Sequence, residues 1–150
     1  MRKKSLGRSL ALTAHLLRLV LEEELREFDI TPAQFGILNA LYETGESVSG
    51  RALALSLSLR PQTVNEMLRP LEKRNLIART PSSQNGRIIE TSITARGEAV
   101  RRSCLPRLRA IERSMSSGID SDDVRRVIET LATFRKNLDL IAKLQVGAEK

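Results

Sequence analysis

The sequence predicts a mainly α-helical fold that carries one small β-hairpin. Three observations predict it. Two short helical patterns abut between residues 49 and 74, joined by a tight turn. Two β-like runs follow around a Ser/Asn/Gly turn over residues 78–97. Both ends of the chain, residues 5–28 and 98–145, repeat apolar residues at helical spacing on more faces than one small core requires.

The composition bounds the function. A chain of 150 residues holds one core, with roughly 70% of the unfolded surface buried. The formal net charge of +7 favours a polyanionic partner, and nucleic acid is the commonest. Only 3% of residues are aromatic, which disfavours single-strand binding by base stacking. A single Cys rules out an internal disulfide and fits a reducing cytoplasm. No stretch approaches the ~20 apolar residues of a membrane helix. Arg8, His15 and Arg18 interrupt the apolar N-terminal run, so it does not read as a secretory signal. The expected product is a cytoplasmic protein with a short basic tail at its start.

Taken in order, residues 5–28 read as a helix. Leu6, Leu10, Leu17, Leu21, Leu25 and Phe28 recur at helical spacing, and Leu12, Leu16 and Leu19 form a second stripe. A helix apolar on two sides needs two partners, one of them most simply another subunit. Thr31-Pro32-Ala33-Gln34 is a capping box with Pro at the first helical position. Phe35, Leu38, Leu41 and Tyr42 continue that helix, and Gly45 ends it. Ser49 caps a short helix whose inner stripe is Leu53, Ala54 and Leu57; Leu59 and Arg60 make the turn.

Pro61 opens the next helix, which runs to about Arg74. At ~100° per residue, Val64, Met67, Leu68 and Leu71 share one side. Gln62, Glu66, Arg69 and Lys73 share the other, with Asn65 on its shoulder. Gln and Asn bond adenine edges, and Arg bonds guanine or phosphate. For a lone helix, a solvated surface would be the simpler reading. Pro70 removes a backbone bond to Glu66 and predicts a kink or local distortion, not loss of the helix. Asn75 stands where a left-handed C-cap is needed. Beyond the hairpin, Thr94 caps a helix to about Ser117, which Pro106 must bend or break. Asp120 or Ser121 caps the last helix, whose stripe runs Val124, Val127, Ile128, Leu131, Phe134, Leu138, Ile141, Leu144.

The order of elements, with LEKRNLIAR over 71–79 and a hairpin ending in ITARG, resembles the winged helix-turn-helix of the MarR family of bacterial transcription regulators. The family's wing carries Asp-x-Arg followed by Leu-Thr-x-x-Gly. Arg87 matches the Arg, Asn85 stands in place of the Asp, and Ile93, Thr94 and Gly97 match the rest. The resemblance covers nearly the whole chain. It implies one MarR-like domain, with a winged helix-turn-helix lobe at 31–97 and dimerisation helices at 5–28 and 98–145. It also implies a homodimer that binds double-stranded DNA through Gln62, Thr63, Asn65, Glu66, Arg69 and Lys73 in the major groove and Arg87 on the wing. Glu66 would accept from a cytosine amino group or orient Arg69 across their i, i+3 spacing. Such proteins usually repress genes and release DNA when a small, often aromatic and acidic, effector binds between the dimerisation helices and the lobe. His15, Arg18, Tyr42 and Arg101 are the candidate lining residues, each of which serves equally as surface or core.

Other chemistries find little support. His15 is the only histidine and has no nucleophile at a meaningful spacing, so no enzyme is expected. One His and one Cys do not make a zinc site, and no other cofactor is implied. Cys104 is either a thiol activated by Arg101, Arg102 or Arg107, or a small buried hydrophobe, and the second reading is preferred. The alternative function is a winged-helix protein-interaction module that does not read DNA.

Overall fold

The computed structural model describes residues 5–148, with side chains as far as 143, so the basic tail and the Leu144 side chain lie outside the described residues. The chain forms two compact units, one through Ile111 and one from Glu112.

In the first unit, α1 spans Leu6–Leu25 and tightens into a 3₁₀ turn at Arg26–Phe28, short of the single helix predicted to residue 28. Asp29 then takes a left-handed conformation and turns the chain. Helix α2, Pro32–Thr44, begins with the expected capping box: the Gln34 N–H donates to Thr31 Oγ1 and the Thr31 N–H to Gln34 Oε1, both at 3.1 Å. Gly45, at φ 69°, ends it. A two-residue strand, β1 at Val48–Ser49, leads directly into α3, Gly50–Ser56, which Ser49 caps. Helix α4 spans Pro61–Lys73, and β2, Ile77–Pro81, pairs antiparallel with β3, Ile89–Ile93. Strand β1 pairs with the other edge of β3, so the sheet has three strands in the order β1-β3-β2, one more than the predicted hairpin.

Helix α5, Ala95–Met115, runs unbroken through Pro106. Helix α4 likewise continues through Pro70, and its last turn closes with the Arg74 N–H on the Pro70 carbonyl. Packing explains the survival of α4. Val64 and Leu68 before Pro70 and Leu71 after it are all fully buried. Each buried Leu contributes about 1.5–3 kcal/mol, against a proline penalty of about 3.

The core lies between α2, α3, α4 and the sheet. It holds Ile30, Ile37, Leu38, Leu41, Leu53, Ala54, Val64, Leu68, Leu71, Leu76 and Ile77. Leu38 and Leu41 of α2, Leu53 and Ala54 of α3, and Val64, Leu68 and Leu71 of α4 converge as predicted, whereas Tyr42 of the α2 set is exposed and Ile37 takes its place in the core. On α1, Leu25 is buried, while Leu12, Leu16 and Leu19 of the second stripe are exposed.

In the second unit, α6 spans Ser121–Ala148. Asp120 caps it, its carboxylate accepting from the Asp122 N–H at 2.8 Å. Val127, Ile128, Leu138 and Ile141 are exposed along it. Among the described residues, no helix is long and apolar enough to cross a membrane.

Candidate nucleic-acid interface

Two turns fix α4 at its ends, and both have the same construction. After α3, the Leu59 N–H bonds the Ala54 carbonyl and the Ser58 N–H bonds that of Leu55, with Ser58 left-handed at φ 54°. After α4, the Leu76 N–H bonds Leu71 and the Asn75 N–H bonds Glu72, with Asn75 at φ 57°. These are Schellman motifs, which satisfy the last carbonyls of each helix. In the second, the apolar pair that usually accompanies the motif is Leu71 against Leu76, both buried. The prediction for Asn75 holds. Ser58 was not anticipated, because Ser is not a residue expected in a left-handed cap.

With Val64, Leu68 and Leu71 inward, α4 exposes Gln62, Asn65, Glu66, Arg69 and Lys73 to solvent, and Thr63 is half-buried. Two expected roles change here. Glu66 does not orient Arg69; its Oε1 accepts from Gln62 Nε2 at 3.2 Å, the i, i+4 neighbour one turn back. Asn65 is not free: its Oδ1 accepts from Arg79 Nη2 at 3.2 Å. Arg69 and Arg87 make no ion pair among the described residues, which leaves both cations available to an outside anion.

Arg79 is the residue that sequence reasoning passed over. It lies on β2, two residues after buried Ile77, and side chains two apart on a strand share a face. A charged side chain on the inward face of a strand needs a partner, and that parity was the available signal. Its guanidinium reaches α4 at Asn65 and stands 3.8 Å from Glu72. Its Nε and the Oγ1 of Thr91, its partner in register on β3, are buried without hydrogen bonds.

The wing tip is built from short-range bonds. Asn85 Oδ1 accepts from the Arg87 N–H at 3.2 Å, so Asn85 works as a turn residue. The Ile88 N–H bonds the Asn85 carbonyl, and the Ser82 N–H bonds that of Ile88, both at 2.8 Å. Arg87 sits exposed in this loop. At the base of the wing, Ser47 Oγ donates to Glu90 at 2.8 Å. Hydrogen bonds from Ser47 and then Ser82 hold the Glu90 carboxyl below its usual pKa. The ITARG segment locks the wing to α5. Thr94 donates its hydroxyl to the Asn75 carbonyl at 2.7 Å and accepts from the Gly97 N–H at 3.0 Å. A Cβ on Gly97 would lie 2.0 Å from the Leu76 carbonyl oxygen, so only glycine fits.

The four candidate effector residues form two separate pairs. Arg18 bonds Glu22 at 2.6 Å and stands 3.4 Å from His15 Nδ1, all on α1. Arg101 stacks on Tyr42, 3.8 Å from the ring centroid, and donates to Asn39 Oδ1 at 2.9 Å. A cavity of about 390 Å³ lined by Gly36, Asn39, Ala40, Glu43, Thr44, Ser56 and Leu57 includes Arg101's partner Asn39 but none of the four. Cys104 is fully buried, and burial, with the Glu27 charge, pushes its thiol up to about 11. Burial, the larger cause, speaks against an activated thiol, and the charge that adds to it is an anion.

Residues 28–88 match the model of the MarR family. The transcriptional repressor MdtR of Bacillus subtilis is 34% identical over 76 residues, which are 51% of this chain and 48% of MdtR. The match therefore spans about half the length of that relative. The transcriptional repressor Rv2887 of Mycobacterium tuberculosis is 28% identical over 131 residues, covering 85% of this chain and 94% of its own. The S. aureus MepR–DNA complex shares the fold, with a TM-score of 0.82 at 20% identity over 92% of this chain and 99% of the MepR chain.

Proposed function

We propose that the chain is a member of the MarR family, whose model matches residues 28–88, and that it is a homodimeric, sequence-specific binder of double-stranded DNA that represses transcription and lets go when a small effector binds. The observation that carries the reading is the division of α4. Val64, Leu68 and Leu71 are completely buried, so Gln62, Asn65, Glu66, Arg69 and Lys73 are left to face a partner. These side chains occupy the helix that a helix-turn-helix lays in the major groove, and Arg87 sits on a protruding loop beside it in sequence. Gln62, Asn65, Glu66 and Arg69 would read base edges, Thr63 and Lys73 would meet the backbone, and Arg87 would enter the minor groove.

The pairing of two copies is supported by apolar side chains that are exposed among the described residues. Leu12, Leu16 and Leu19 on α1, and Val127, Ile128, Leu138 and Ile141 on α6, are exposed. Residues 5–28 and 98–145 would form the dimer, and 31–97 the reading lobe. An aromatic acid is the effector class that fits the Tyr42 and Arg101 pair, whose ring and guanidinium it would have to part. An effector that bound the DNA-competent and incompetent arrangements equally well would shift nothing. The protein works in the cytoplasm and catalyses no reaction.

The test is selection of bound duplexes from a random pool, followed by titration of the selected site at several salt concentrations. Enrichment of a two-half-site sequence, with log affinity falling steeply against log salt, is expected. A salt-insensitive interaction, or a monomeric mass in light scattering at micromolar concentration, overturns the reading in favour of a protein-docking module.

A further inference from the structure

We infer that Arg79 sets which base Asn65 prefers, by occupying the amide oxygen of Asn65 and leaving its NH₂ group to face the partner. The inference rests on the DNA-binding reading of α4.

The chemistry of the two groups makes the orientation unambiguous. Arg has five N–H donors and no acceptor. The atom of Asn65 that faces Arg79 must therefore be its oxygen, whichever way the amide is drawn; here Nη2 stands 3.2 Å from Oδ1. Arg79 itself is held from several sides. It is rooted in β2, its side chain is 23% exposed, and its other terminal nitrogen is 3.8 Å from Glu72 Oε2. Asn65 and Glu72 are seven residues apart, two turns of α4, so they lie on the same face and bracket the guanidinium. The β2–β3 ladder fixes the strand, Arg79 standing opposite Thr91.

An unrestrained Asn presents an acceptor and a donor side by side, which is the complement of the adenine edge, N6–H and N7. With the oxygen engaged by a cation, the outward part of Asn65 is a pair of N–H donors. Two donors complement two acceptors, and the base edge with two acceptors in the major groove is guanine, O6 and N7. The adenine edge then has for its N6–H only the second lone pair of an oxygen that is already turned toward, and weakened as an acceptor by, a cation. Asn65 in this setting therefore prefers guanine to adenine, the reverse of the preference its residue type suggests. Arg79 touches no base in this account; it is a positioning residue.

The experiment compares base preference across the selected duplex for the wild type, Arg79→Met, Asn65→Ala and Asn65→Asp, using a panel of single-base-pair changes, with thermal unfolding of each variant alongside. Asn65→Ala should flatten preference at one base pair, and the wild type should favour guanine over adenine there by about tenfold, within the range for one base contact. Arg79→Met should move the preference at that same base pair toward adenine and leave the other positions alone. Asn65→Asp keeps the bond to Arg79 but has no donors, so it should lose the guanine preference with an undiminished unfolding temperature. That variant decides the matter if Arg79→Met fails to fold. The inference is overturned if Arg79→Met weakens every sequence by one factor, if it alters a base pair other than the one Asn65→Ala identifies, or if Asn65→Asp keeps the guanine preference. Absence of any sequence-selective duplex binding by the wild type would instead overturn the DNA-binding reading, and the inference with it.

Discussion

Replacing Gly97 by Ala should destabilise the protein more than the same change at any other glycine among the described residues of its helices. The added Cβ would sit 2.0 Å from the Leu76 carbonyl oxygen and 2.9 Å from Ile93 Cγ1. An unstrained C···O contact is about 3.3 Å, so the two backbones must part by roughly 1.3 Å. That movement breaks the bond from the Thr94 N–H to the same Leu76 oxygen, 3.1 Å long, and strains the Thr94 hydroxyl on Asn75. Overpacking costs about 1–3 kcal/mol and a lost hydrogen bond about 1. The better helix propensity of Ala returns somewhat less than 1 in a first helical turn. The net loss is about 1–3 kcal/mol, a shift of roughly 0.5–2 M in the urea midpoint. Gly36 supplies the control. It lies inside α2, and a Cβ there would meet no atom within 4 Å. Gly36→Ala should therefore stabilise by about 0.5–1 kcal/mol. Urea unfolding of both variants at one protein concentration is the assay. A Gly97→Ala midpoint at or above that of the wild type would refute the account of the α5 clamp.

Three further outcomes are expected. Arg87→Ala should flatten the slope of log affinity against log salt by about one unit, and an unchanged slope would take the wing off the DNA. In titrations against single-base changes, Gln62→Ala or Arg69→Ala should relax preference at particular base pairs, while Lys73→Ala should weaken all sequences alike; a uniform shift for all three would assign specificity to DNA shape. Cys104 has its folded pKa raised from 9.0 to about 11, so the unfolded chain releases its proton first. Its contribution to stability is intact below about pH 9 and falls as pH rises toward 11, by about 2–3 kcal/mol in all. Cys104→Ala should remove that part of the alkaline loss measured by denaturant titration, and native protein should resist thiol alkylation at neutral pH.

Local signals in the sequence were reliable where a single element decided the outcome. The Thr31 and Gln34 box, the two faces of α4 and the left-handed Asn75 all depend on neighbours within a few residues, and all were legible. Strand β1 was not, because two residues are too few to show a period and they pair with Thr91 and Glu90, far along the chain. Glu66 had both Gln62 and Arg69 within one turn, and residue types alone do not choose between them. The link from Arg79 to Asn65 spans 14 positions and depends on where β2 lies against α4. Its trace in the sequence was an Arg sharing strand parity with a buried Ile77, which signals a partner without naming it.

Arg74, at the end of α4, reaches back 46 positions to donate to the Phe28 carbonyl at 3.1 Å, and also to the Asp29 carbonyl, with the Asp29 carboxylate 3.5 Å away. Those carbonyls belong to the joint between α1 and α2. A joint is where a chain absorbs rotation, yet this one is gripped from outside by the helix that carries the reading face. Any swing of α1 about it must either drag the end of α4 along or release the guanidinium, at about 1.5–3 kcal/mol for each charged hydrogen bond given up. The two helices are geared: motion at one is either transmitted to the other or resisted, and Arg74 is the tooth that decides which.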